Sequence, residues 1–243
     1  MQNFIKRILK VLFRNFGLKI IRIKHPLEMA LELLNFGKNK NLIFIDIGAN
    51  KGQSVLVIKN LVKKFKLDRY LVYAFEPMEE NFIELNKLKS NLIKIFPIGI
   101  SDSERDFDIY HAQDSEWHSI NNNDNWKKEG GRKETIKLMQ LDRVLPNNKL
   151  SGELIVKIDV EGHEMEVLRG MKEHLKSKNL RIIIIEVGFN PEDKQHTYFN
   201  TISSYLFDFE FRCCHILDIN SFAHPVWGNH FSIGYANAIF LKD

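Results

Sequence analysis

Asn41-Leu-Ile-Phe-Ile-Asp-Ile-Gly-Ala-Asn-Lys-Gly-Gln-Ser54 holds the strongest structural signal in this chain. Its apolar run, Leu42 to Ile47, predicts a strand that is buried on both faces, although Asp46 stands near its end. Gly48 and Gly52 then predict a turn that leads into a helix. A strand, a glycine-containing turn and a helix N-terminus together form a nucleotide-type pocket at the carboxyl edge of a parallel sheet.

The spacing of this turn indicates which nucleotide it binds. A dinucleotide-binding turn follows the pattern G-x-G-x-x-G, whereas the pattern here is D-x-G-x-x-x-G, with Asn50 where a glycine would stand. The carboxylate of Asp46 would repel a pyrophosphate but attract a ligand that carries an ammonium and a sulfonium. S-adenosylmethionine is such a ligand. For this motif alone, an ordinary turn of an unrelated α/β protein is the alternative, since short glycine patterns also arise by chance.

A second apolar run, Tyr70 to Phe75, predicts the neighbouring strand and ends in Glu76-Pro77. Glu76 follows the glycine turn by roughly 25 residues, close to where the ribose-binding acid lies in a βαβ unit. The alternative is a solvated acid at a helix start, where the helix dipole favours negative charge. The predicted cofactor contacts in these two turns are Asp46, Gly48, Ala49, Asn50, Gly52, Gln53, Ser54, Glu76 and Pro77.

The next apolar segment, Asn91 to Ile98, predicts a third strand. Pro97 indicates that this strand lies at an edge of the sheet, because proline cannot donate to a neighbouring strand. The loop that follows would face the base of a bound nucleoside. Ser101 and Asp102 are therefore predicted to bind the base, although turn chemistry alone also accounts for both residues.

Residues 103–135 are the least regular part of the chain. Phe107 to Tyr110 and Thr135 to Met139 predict the two strands of a hairpin. The connection between them is rich in asparagine and contains Trp117 and Trp126. A connection this long in a compact domain is usually functional or disordered.

The second informative segment is Glu153-Leu-Ile-Val-Lys-Ile-Asp-Val-Glu-Gly-His-Glu164. It predicts a strand followed by Asp159, Glu161 and His163, at the edge where ligands bind in open α/β sheets, and then a helix from Met165 to Leu175. Two nearby carboxylates are expected to raise the pKa of His163 while leaving it able to accept a proton, so His163 is the predicted general base. The same three groups could decorate a helix start, with His163 as a cap. A divalent metal is possible there but is not predicted.

The apolar run Arg181 to Val187 predicts a buried strand beside the previous one. Glu186, near the end of this run, is a candidate for the substrate pocket. A helix is predicted over Tyr198 to Phe207. The final apolar segments, Phe209 to Ile216 and Phe231 to Leu241, predict a closing hairpin on an otherwise parallel sheet.

Residues 1–25 carry seven basic residues and no acid, although the net charge of the 243-residue chain is only +4. Apolar residues recur at helical spacing from Phe4 to Phe16, which predicts a basic amphipathic helix. Such a helix lies either on an anionic membrane surface or against its own domain or a second subunit. The rest of the chain then carries about −3, which argues against nucleic acid as a partner.

Two domains are predicted, a basic arm over residues 1–25 and an α/β domain over 26–243. The adjacent cysteines Cys213 and Cys214 form no disulfide framework, so the expected compartment is the cytoplasm, with peripheral contact at the inner face of the membrane through the arm. No apolar run is long enough to cross a bilayer. An oligomer is compatible with this sequence.

Three motifs resemble the FkbM family of S-adenosylmethionine-dependent methyltransferases: Phe44-Ile-Asp-Ile-Gly-Ala-Asn-Lys-Gly52, Ala74-Phe-Glu-Pro77 and Val156-Lys-Ile-Asp-Val-Glu-Gly-His-Glu-Met-Glu-Val-Leu-Arg-Gly170. The resemblance runs from about residue 40 to the C-terminus. It implies an α/β fold of the Rossmann-like class I methyltransferase type. The implied sheet is mostly parallel and seven-stranded, with a C-terminal antiparallel strand and helices on both faces.

The resemblance also implies O-methyl transfer, commonly to sugar hydroxyls. By the same likeness, residues 46–52 hold the methionine part of the cofactor, Glu76 holds the ribose, and residues 159–163 form the reaction centre. Asp159 and Val160 are the predicted cofactor contacts in that centre.

We therefore expect an S-adenosylmethionine-dependent O-methyltransferase that acts on a sugar hydroxyl of a surface glycan, a glycolipid or a secondary metabolite. His163 is the predicted base, with Glu161 or Glu186 as its orienting group or substitute. One rival is a nicotinamide-dependent oxidoreductase, which the missing G-x-G-x-x-G disfavours. The other is a non-catalytic scaffold docked to a membrane through residues 1–25, which the intact acids of the pocket disfavour.

Overall fold

The computed structural model of the protein describes residues 24–34, 41–110, 133–190, 196–223 and 231–242. The strands in these ranges are β1 (Leu42–Ile47), β2 (Tyr70–Phe75), β3 (Ile93–Phe96), β4 (Gly99–Ile100), β5 (Arg105–Tyr110), β6 (Lys133–Met139), β7 (Glu153–Ile158), β8 (Leu180–Gly188), β9 (Phe211–Ala223) and β10 (Phe231–Lys242). The α-helices are α1 (Pro26–Leu33), α2 (Gln53–Phe65), α3 (Glu79–Asn86), α4 (Leu141–Val144), α5 (Glu164–Arg169), α6 (Lys172–Lys176) and α7 (Phe199–Phe207). A 3₁₀ turn spans Asn147–Lys149.

Seven of the strands form one sheet in the order β3-β2-β1-β7-β8-β10-β9. The strands β1, β2, β3, β7 and β8 run parallel, β10 is antiparallel to β8, and β9 is antiparallel to β10. The predicted fold, a mostly parallel seven-stranded sheet with an antiparallel C-terminal strand, is therefore confirmed. The chain builds the sheet outward from β1 to β3 and then returns to the other side of β1 with β7. This reversal opens a crevice between the carboxyl ends of β1 and β7, the usual ligand site of open α/β sheets.

The three central strands end level with one another. Ile47, the last residue of β1, lies opposite the last residues of β2 and β7. One step further, the Asp159 N–H still donates to the Ile47 carbonyl, at 3.0 Å. The loops that carry Gly48, Glu76 and Asp159 therefore all begin at the same edge of the sheet.

Both faces of the sheet are covered, and all six residues of β1 are buried. Ile43 and Ile45 pack into one hydrophobic layer with residues of helices α4 to α7, while Leu42 and Phe44 pack into the other with residues of α1, α2 and α3. This two-sided burial explains why β1 is apolar almost throughout. It also holds the end of β1, where Asp46 lies, in a rigid setting.

A second, three-stranded sheet has the order β4-β6-β5. Its strands β5 and β6 pair antiparallel, as predicted for the hairpin. Ile109, Ile136 and Leu138 from this sheet form a small core with Met78, which follows Glu76 by two residues. The small sheet therefore lies beside the predicted ribose acid.

The single helix predicted after His163, from Met165 to Leu175, is wrong. Two short helices, α5 and α6, stand there and are separated at Gly170 and Met171. A Cβ atom on Gly170 would lie 1.9 Å from the carbonyl oxygen of Ser101, so the backbones of two loops touch at this point. A residue larger than glycine at position 170 would not permit this contact. The contact lies at the point where α5 ends and α6 has not yet begun.

Other predicted elements are present with different ends. The helix predicted over Tyr198 to Phe207 begins at Phe199, and the strand predicted over Arg181 to Val187 spans Leu180–Gly188. The third strand is confined to Ile93–Phe96, and it lies at the edge of the sheet, as Pro97 indicates. Element ends are decided by local turns, which the apolar periodicity does not record.

Two predicted features fall outside the ranges given above: the arm, apart from its last two residues, and the Asn-rich connection with Trp117 and Trp126. Both stay predictions, as does the division into an arm and one domain. Within the described ranges, none of the helices combines the length and the apolar character needed to span a bilayer.

Candidate active site

A cavity of about 360 Å³ opens at the carboxyl edge of the sheet, at the crevice between β1 and β7. The predicted site residues that line it are Gly48, Asn50, Glu76, Pro77, Asp159, Val160, Glu161 and His163. Apolar side chains complete the wall, among them Ile109 and Leu138 of the small sheet. The cavity thus brings together residues that were predicted from three separate segments of the chain.

The glycines of the first turn adopt backbone conformations that other residues avoid. Gly48 has φ +80° and Gly52 has φ +94°. A Cβ atom on Gly48 would lie only 1.8 Å from the Asp159 carbonyl oxygen, so the turns after β1 and β7 touch where only glycine fits. The predicted contacts of this turn that do not line the cavity are Ala49, Gly52, Gln53 and Ser54.

Glu76 is buried and fixed at both carboxylate oxygens. One oxygen accepts a hydrogen bond from the Asn50 N–H at 2.8 Å, and the other accepts one from the Met78 N–H at 3.0 Å. Burial raises the pKa of Glu76, while these bonds and one from the Asn81 side chain act in the opposite direction. The carboxylate is therefore held at the cavity wall with lone pairs left for a ligand.

Asp46 stands apart from every other acid of the site. It is fully buried, and neither carboxylate oxygen has a hydrogen-bond partner in the described part of the chain. Burial raises the pKa of Asp46 to about 6, with Lys157 lowering it and Asp159 raising it further. A buried carboxylate without a hydrogen bond is costly, which makes it a strong attractor for a cationic ligand. It does not line the cavity itself but directly precedes Ile47 and Gly48, which do.

Lys157 and Asp159 form a pair at the end of β7. The Lys157 ammonium donates to an Asp159 carboxylate oxygen at 2.7 Å. Burial acts to lower the pKa of Lys157, but Asp159, Asp46 and Glu186 together raise it. Lys157 is thus a charged lysine that holds Asp159 at the cavity wall.

His163 lines the cavity, but its neighbours differ from those predicted. Its Nε2 is hydrogen-bonded to the Ser101 hydroxyl at 2.9 Å, and its Nδ1 lies 3.6 Å from a Glu166 carboxylate oxygen. Burial lowers the pKa of His163, so the predicted upward shift from Asp159 and Glu161 is wrong. The charged groups that act on the imidazole are Glu166, Arg105, Asp102 and Arg169, so the acids next to His163 in the sequence are not the ones that set its pKa.

The loop predicted to face the base contains Ser101 and Asp102. Ser101 is fully buried and contacts His163, while the Asp102 carboxylate accepts hydrogen bonds from Ser103 at 3.0 Å and Arg105 at 3.2 Å. Neither residue lines the cavity, although Gly99 and Ile100 just before them do. Ser101 therefore lies behind the cavity wall, against His163, whereas the Asp102 side chain is partly exposed.

Glu161 and Glu186 meet a histidine that the sequence did not indicate. One ligand-type atom from each of Glu161, Glu186 and His196 lies within 4.8 Å of the others, and His196 Nε2 is 3.4 Å from a Glu186 oxygen. Burial, followed by Glu186 and Asp159, raises the pKa of Glu161 to about 7. We call these three residues the acidic–imidazole trio. No local spacing links His196 to the other two, so only the fold could reveal it.

Residues 46–213 match the family model described as the methyltransferase FkbM domain. That range covers more than half of the chain. The chain belongs to the FkbM methyltransferase family.

Two relatives of this FkbM-family chain illustrate its similarities. It is 30% identical over 151 residues to the hexuronic acid methyltransferase AglP of Haloferax volcanii. The aligned region covers 61% of this chain and 57% of that protein. It also resembles the crystal structure of Methyltransferase FkbM from Methylobacillus flagellatus KT, with a TM-score of 0.53 and 14% identity over 90% of this chain and 48% of that one. This structural likeness supports the Rossmann-like class I fold. The chain spans about half the length of the relatives it matches.

The FkbM family implies S-adenosylmethionine, and the residues of the cavity fit it. The fit rests on Asp46, whose buried oxygens accept no hydrogen bond from the described residues and so suit the ammonium and sulfonium of that cofactor. It rests also on Glu76, which retains lone pairs for ribose hydroxyls. The cofactor is S-adenosylmethionine, as predicted, and family membership leaves the nicotinamide rival without support.

Proposed function

We propose that this FkbM-family protein is an O-methyltransferase that moves the methyl group of S-adenosylmethionine to a sugar hydroxyl. The observation that carries the proposal is that the wall of the cavity between β1 and β7 contains both Glu76 and Glu161. A cofactor acid and an acceptor-facing acid thus share one space. Methyl transfer requires that the cofactor and the acceptor share one cavity, because the acceptor oxygen and the methyl carbon must be held in line.

On the cofactor side, we propose that Asp46 attracts the cationic methionine part and that Glu76 accepts hydrogen bonds from the ribose hydroxyls. When bound, the cofactor supplies a methyl group on a positive sulfur. Gly48 lets it approach the backbone. The other proposed contacts are Ala49, Asn50, Gly52, Gln53, Ser54, Pro77, Ser101, Asp102, Asp159 and Val160.

On the acceptor side, the hydroxyl must lose its proton as the new bond forms. We propose that Glu161, which lines the cavity, and Glu186 beside it orient the acceptor and promote this loss. We retain His163 as the base, because it lines the same cavity and its lowered pKa keeps the imidazole neutral, the form that accepts a proton. Its bond to Ser101 fixes the ring in place.

The acceptor class follows from a relative. AglP is named as acting on hexuronic acid, so we propose a hexuronic acid, free or within a glycan, as the first acceptor to test. A hexuronic acid carries both hydroxyls and a carboxylate, and the two give different products. A methyl ether forms at a hydroxyl, whereas a methyl ester forms at the carboxylate.

The test is incubation of the protein with S-adenosylmethionine labelled in the methyl group and a panel of nucleotide sugars and glycans. We expect label in a hexuronic acid product that survives mild alkali, as an ether does. A label that alkali removes would show ester formation and contradict the hydroxyl assignment. Cofactor binding without transfer to any sugar of the panel would contradict the acceptor class.

A further inference from the structure

The acidic–imidazole trio has the donor set of a metal site. Two carboxylates and one imidazole suit divalent transition metals, which accept mixed oxygen and nitrogen ligands. Bonds of about 2.0–2.2 Å to a common ion place such ligand atoms roughly 3–4 Å apart. The observed separations, all within 4.8 Å, are close to this range, so small side-chain rotations bring Glu161, Glu186 and His196 onto one ion.

A buried carboxylate connects two of the segments that carry these ligands. Glu164 is fully buried, and one of its oxygens accepts a hydrogen bond from the Gly162 N–H at 2.9 Å. Its other oxygen accepts bonds from Thr197, at 2.6 Å from the hydroxyl and 3.3 Å from the N–H. Glu164 thereby ties the residue after Glu161 to the residue after His196 and fixes the distance between the two ligands.

Two further features orient the ligands. Glu161 has φ +51°, a left-handed conformation that residues with side chains seldom adopt and that is commonly found at functional sites. The ring of His196 stacks on that of Tyr235, with centroids 4.4 Å apart and planes inclined by 11°. His196 is 6% exposed, so its imidazole is held in a fixed plane away from bulk water.

The two carboxylates also place negative charge close together. One oxygen of Glu161, one oxygen of Glu186 and one nitrogen of His196 all lie within 4.8 Å of one another. A divalent cation among them would be bound by two opposite charges and one neutral imidazole.

We propose that Glu161, Glu186 and His196 bind a divalent transition-metal ion at the acceptor side of the cavity. Because Glu161 lines the cavity, the free coordination positions of the ion face the acceptor. There the ion binds the acceptor hydroxyl and lowers its pKa. It also lets a negatively charged hexuronic acid approach two carboxylates without repulsion. This role rests on the proposed function, whereas the binding of the ion does not.

The test uses the full-length protein, stripped of metal with EDTA, titrated with Mn²⁺ in the absence of cofactor and sugar. Electron paramagnetic resonance measures free Mn²⁺. We expect one tight site per chain, with affinity lowered at least tenfold in each of Glu161→Gln, Glu186→Gln and His196→Ala. Zn²⁺ should displace Mn²⁺, whereas Mg²⁺ should compete weakly, because imidazole is a poor ligand for Mg²⁺.

Glu166→Gln is the matched control, since Glu166 is a nearby acid that contacts Arg169 and His163 but not the trio. Its Mn²⁺ affinity should equal that of the unmodified protein. Glu164→Gln provides a second variant that retains all three ligands but weakens the connection between their segments, so it should lower Mn²⁺ affinity by a few-fold. Thermal unfolding without metal checks that each variant folds.

Two results would overturn the proposal: no Mn²⁺ binding up to about 1 mM, or equal affinity in the trio variants and the unmodified protein. Methyl transfer is measured separately. Mn²⁺ binding through the trio without transfer to any sugar would leave the metal site standing and refute the proposed function. Full methyl transfer in EDTA by a protein that binds no Mn²⁺ would refute the metal site and leave the proposed function standing.

Discussion

On its proposed cofactor side the cavity is built from two consecutive βα turns, whereas its proposed acceptor side combines side chains from the turn after β7, the end of β8 and the segment before α7. The proposed cofactor side depends on backbone geometry: Gly48 touches the Asp159 carbonyl, and Glu76 binds the backbone of both turns. The proposed acceptor side depends on the side chains of Glu161, Glu186 and His196. The difference teaches that glycine turns can be recognised in the sequence, while a group of side chains from separate elements becomes visible only in the fold.

The acids of the site also differ in how they are compensated. Asp46 has no hydrogen-bond partner among the described residues, while Glu76 accepts two backbone hydrogen bonds, Asp159 binds Lys157 and Glu186 lies against His196. A buried carboxylate without a hydrogen bond lowers the stability of the unliganded protein but favours a cationic ligand.

Gly48→Ala should disrupt the cofactor side most. The new Cβ atom would meet a backbone carbonyl at 1.8 Å, and the backbone at +80° disfavours alanine, so we expect a loss of roughly 3–5 kcal/mol in the free energy of unfolding. Urea denaturation measures it. Gly99→Ala is the matched control in the same cavity, because its nearest contact is the movable end of the Leu138 side chain, and it should cost less than about 1.5 kcal/mol. Equal losses in the two variants would show that the contact between the turns is not critical.

His163→Ala should lower the rate of methyl transfer at saturating cofactor by roughly 10²-fold, because the proton acceptor is lost. The dissociation constant for S-adenosylmethionine should change little. Ser101→Ala removes the hydroxyl that binds His163 Nε2, together with its 3.3 Å hydrogen bond to the Asp102 carboxylate, and should change the rate by a few-fold. If both variants lose the same activity and also bind the cofactor weakly, His163 positions the Ser101 loop and is not the base.

Asp46→Asn should weaken S-adenosylmethionine binding by at least roughly tenfold, since an amide offers no charge to the ammonium and sulfonium. The same change should stabilise the unliganded protein at pH 7.5 by on the order of 2 kcal/mol, because a carboxyl group with a raised pKa pays to be ionised when buried. Calorimetry and urea denaturation measure the two effects. Asp102→Asn, which removes an acceptor of several hydrogen bonds, is the control and should not stabilise the protein. Tight binding by Asp46→Asn would remove Asp46 from the cofactor site.

The pH dependence of cofactor binding should be the smallest effect. Asp46 faces Lys157 and Asp159, and its pKa of about 6 means that the proton competes with the cofactor below that pH. Affinity should therefore fall by up to about tenfold between pH 7 and pH 5. The stability of the unliganded protein should move the other way and rise as the pH falls from about 6 toward 4, because the folded-state pKa lies above the unfolded value. If the cofactor affinity of the unmodified protein does not change with pH and matches that of Asp46→Asn, the raised pKa of Asp46 is contradicted.

The sheet and several residues that line the cavity were predictable from the sequence, because both depend on short segments. The apolar run Leu42 to Ile47 and the glycines after it need no distant information to be interpreted. His163 was placed correctly at the cavity, yet its electrostatic environment was predicted wrongly, because sequence neighbours were taken for spatial neighbours. Glu161 lies near Glu186 and His196, whereas the imidazole of His163 binds Ser101.

The order of residues along the chain was enough to establish the parallel strands and the place of an acid at the end of β1, since apolar periodicity and glycine turns act over a few residues. The acidic–imidazole trio depended on the folded chain. The pairing of β7 with β8 sets Ile158 opposite Ile185 and so brings Glu186 level with the turn of Glu161. Glu164 then holds the segment of His196 in place by accepting hydrogen bonds from Thr197. Contacts of this kind arise from strand register and buried hydrogen bonds, which link residues regardless of their separation in sequence.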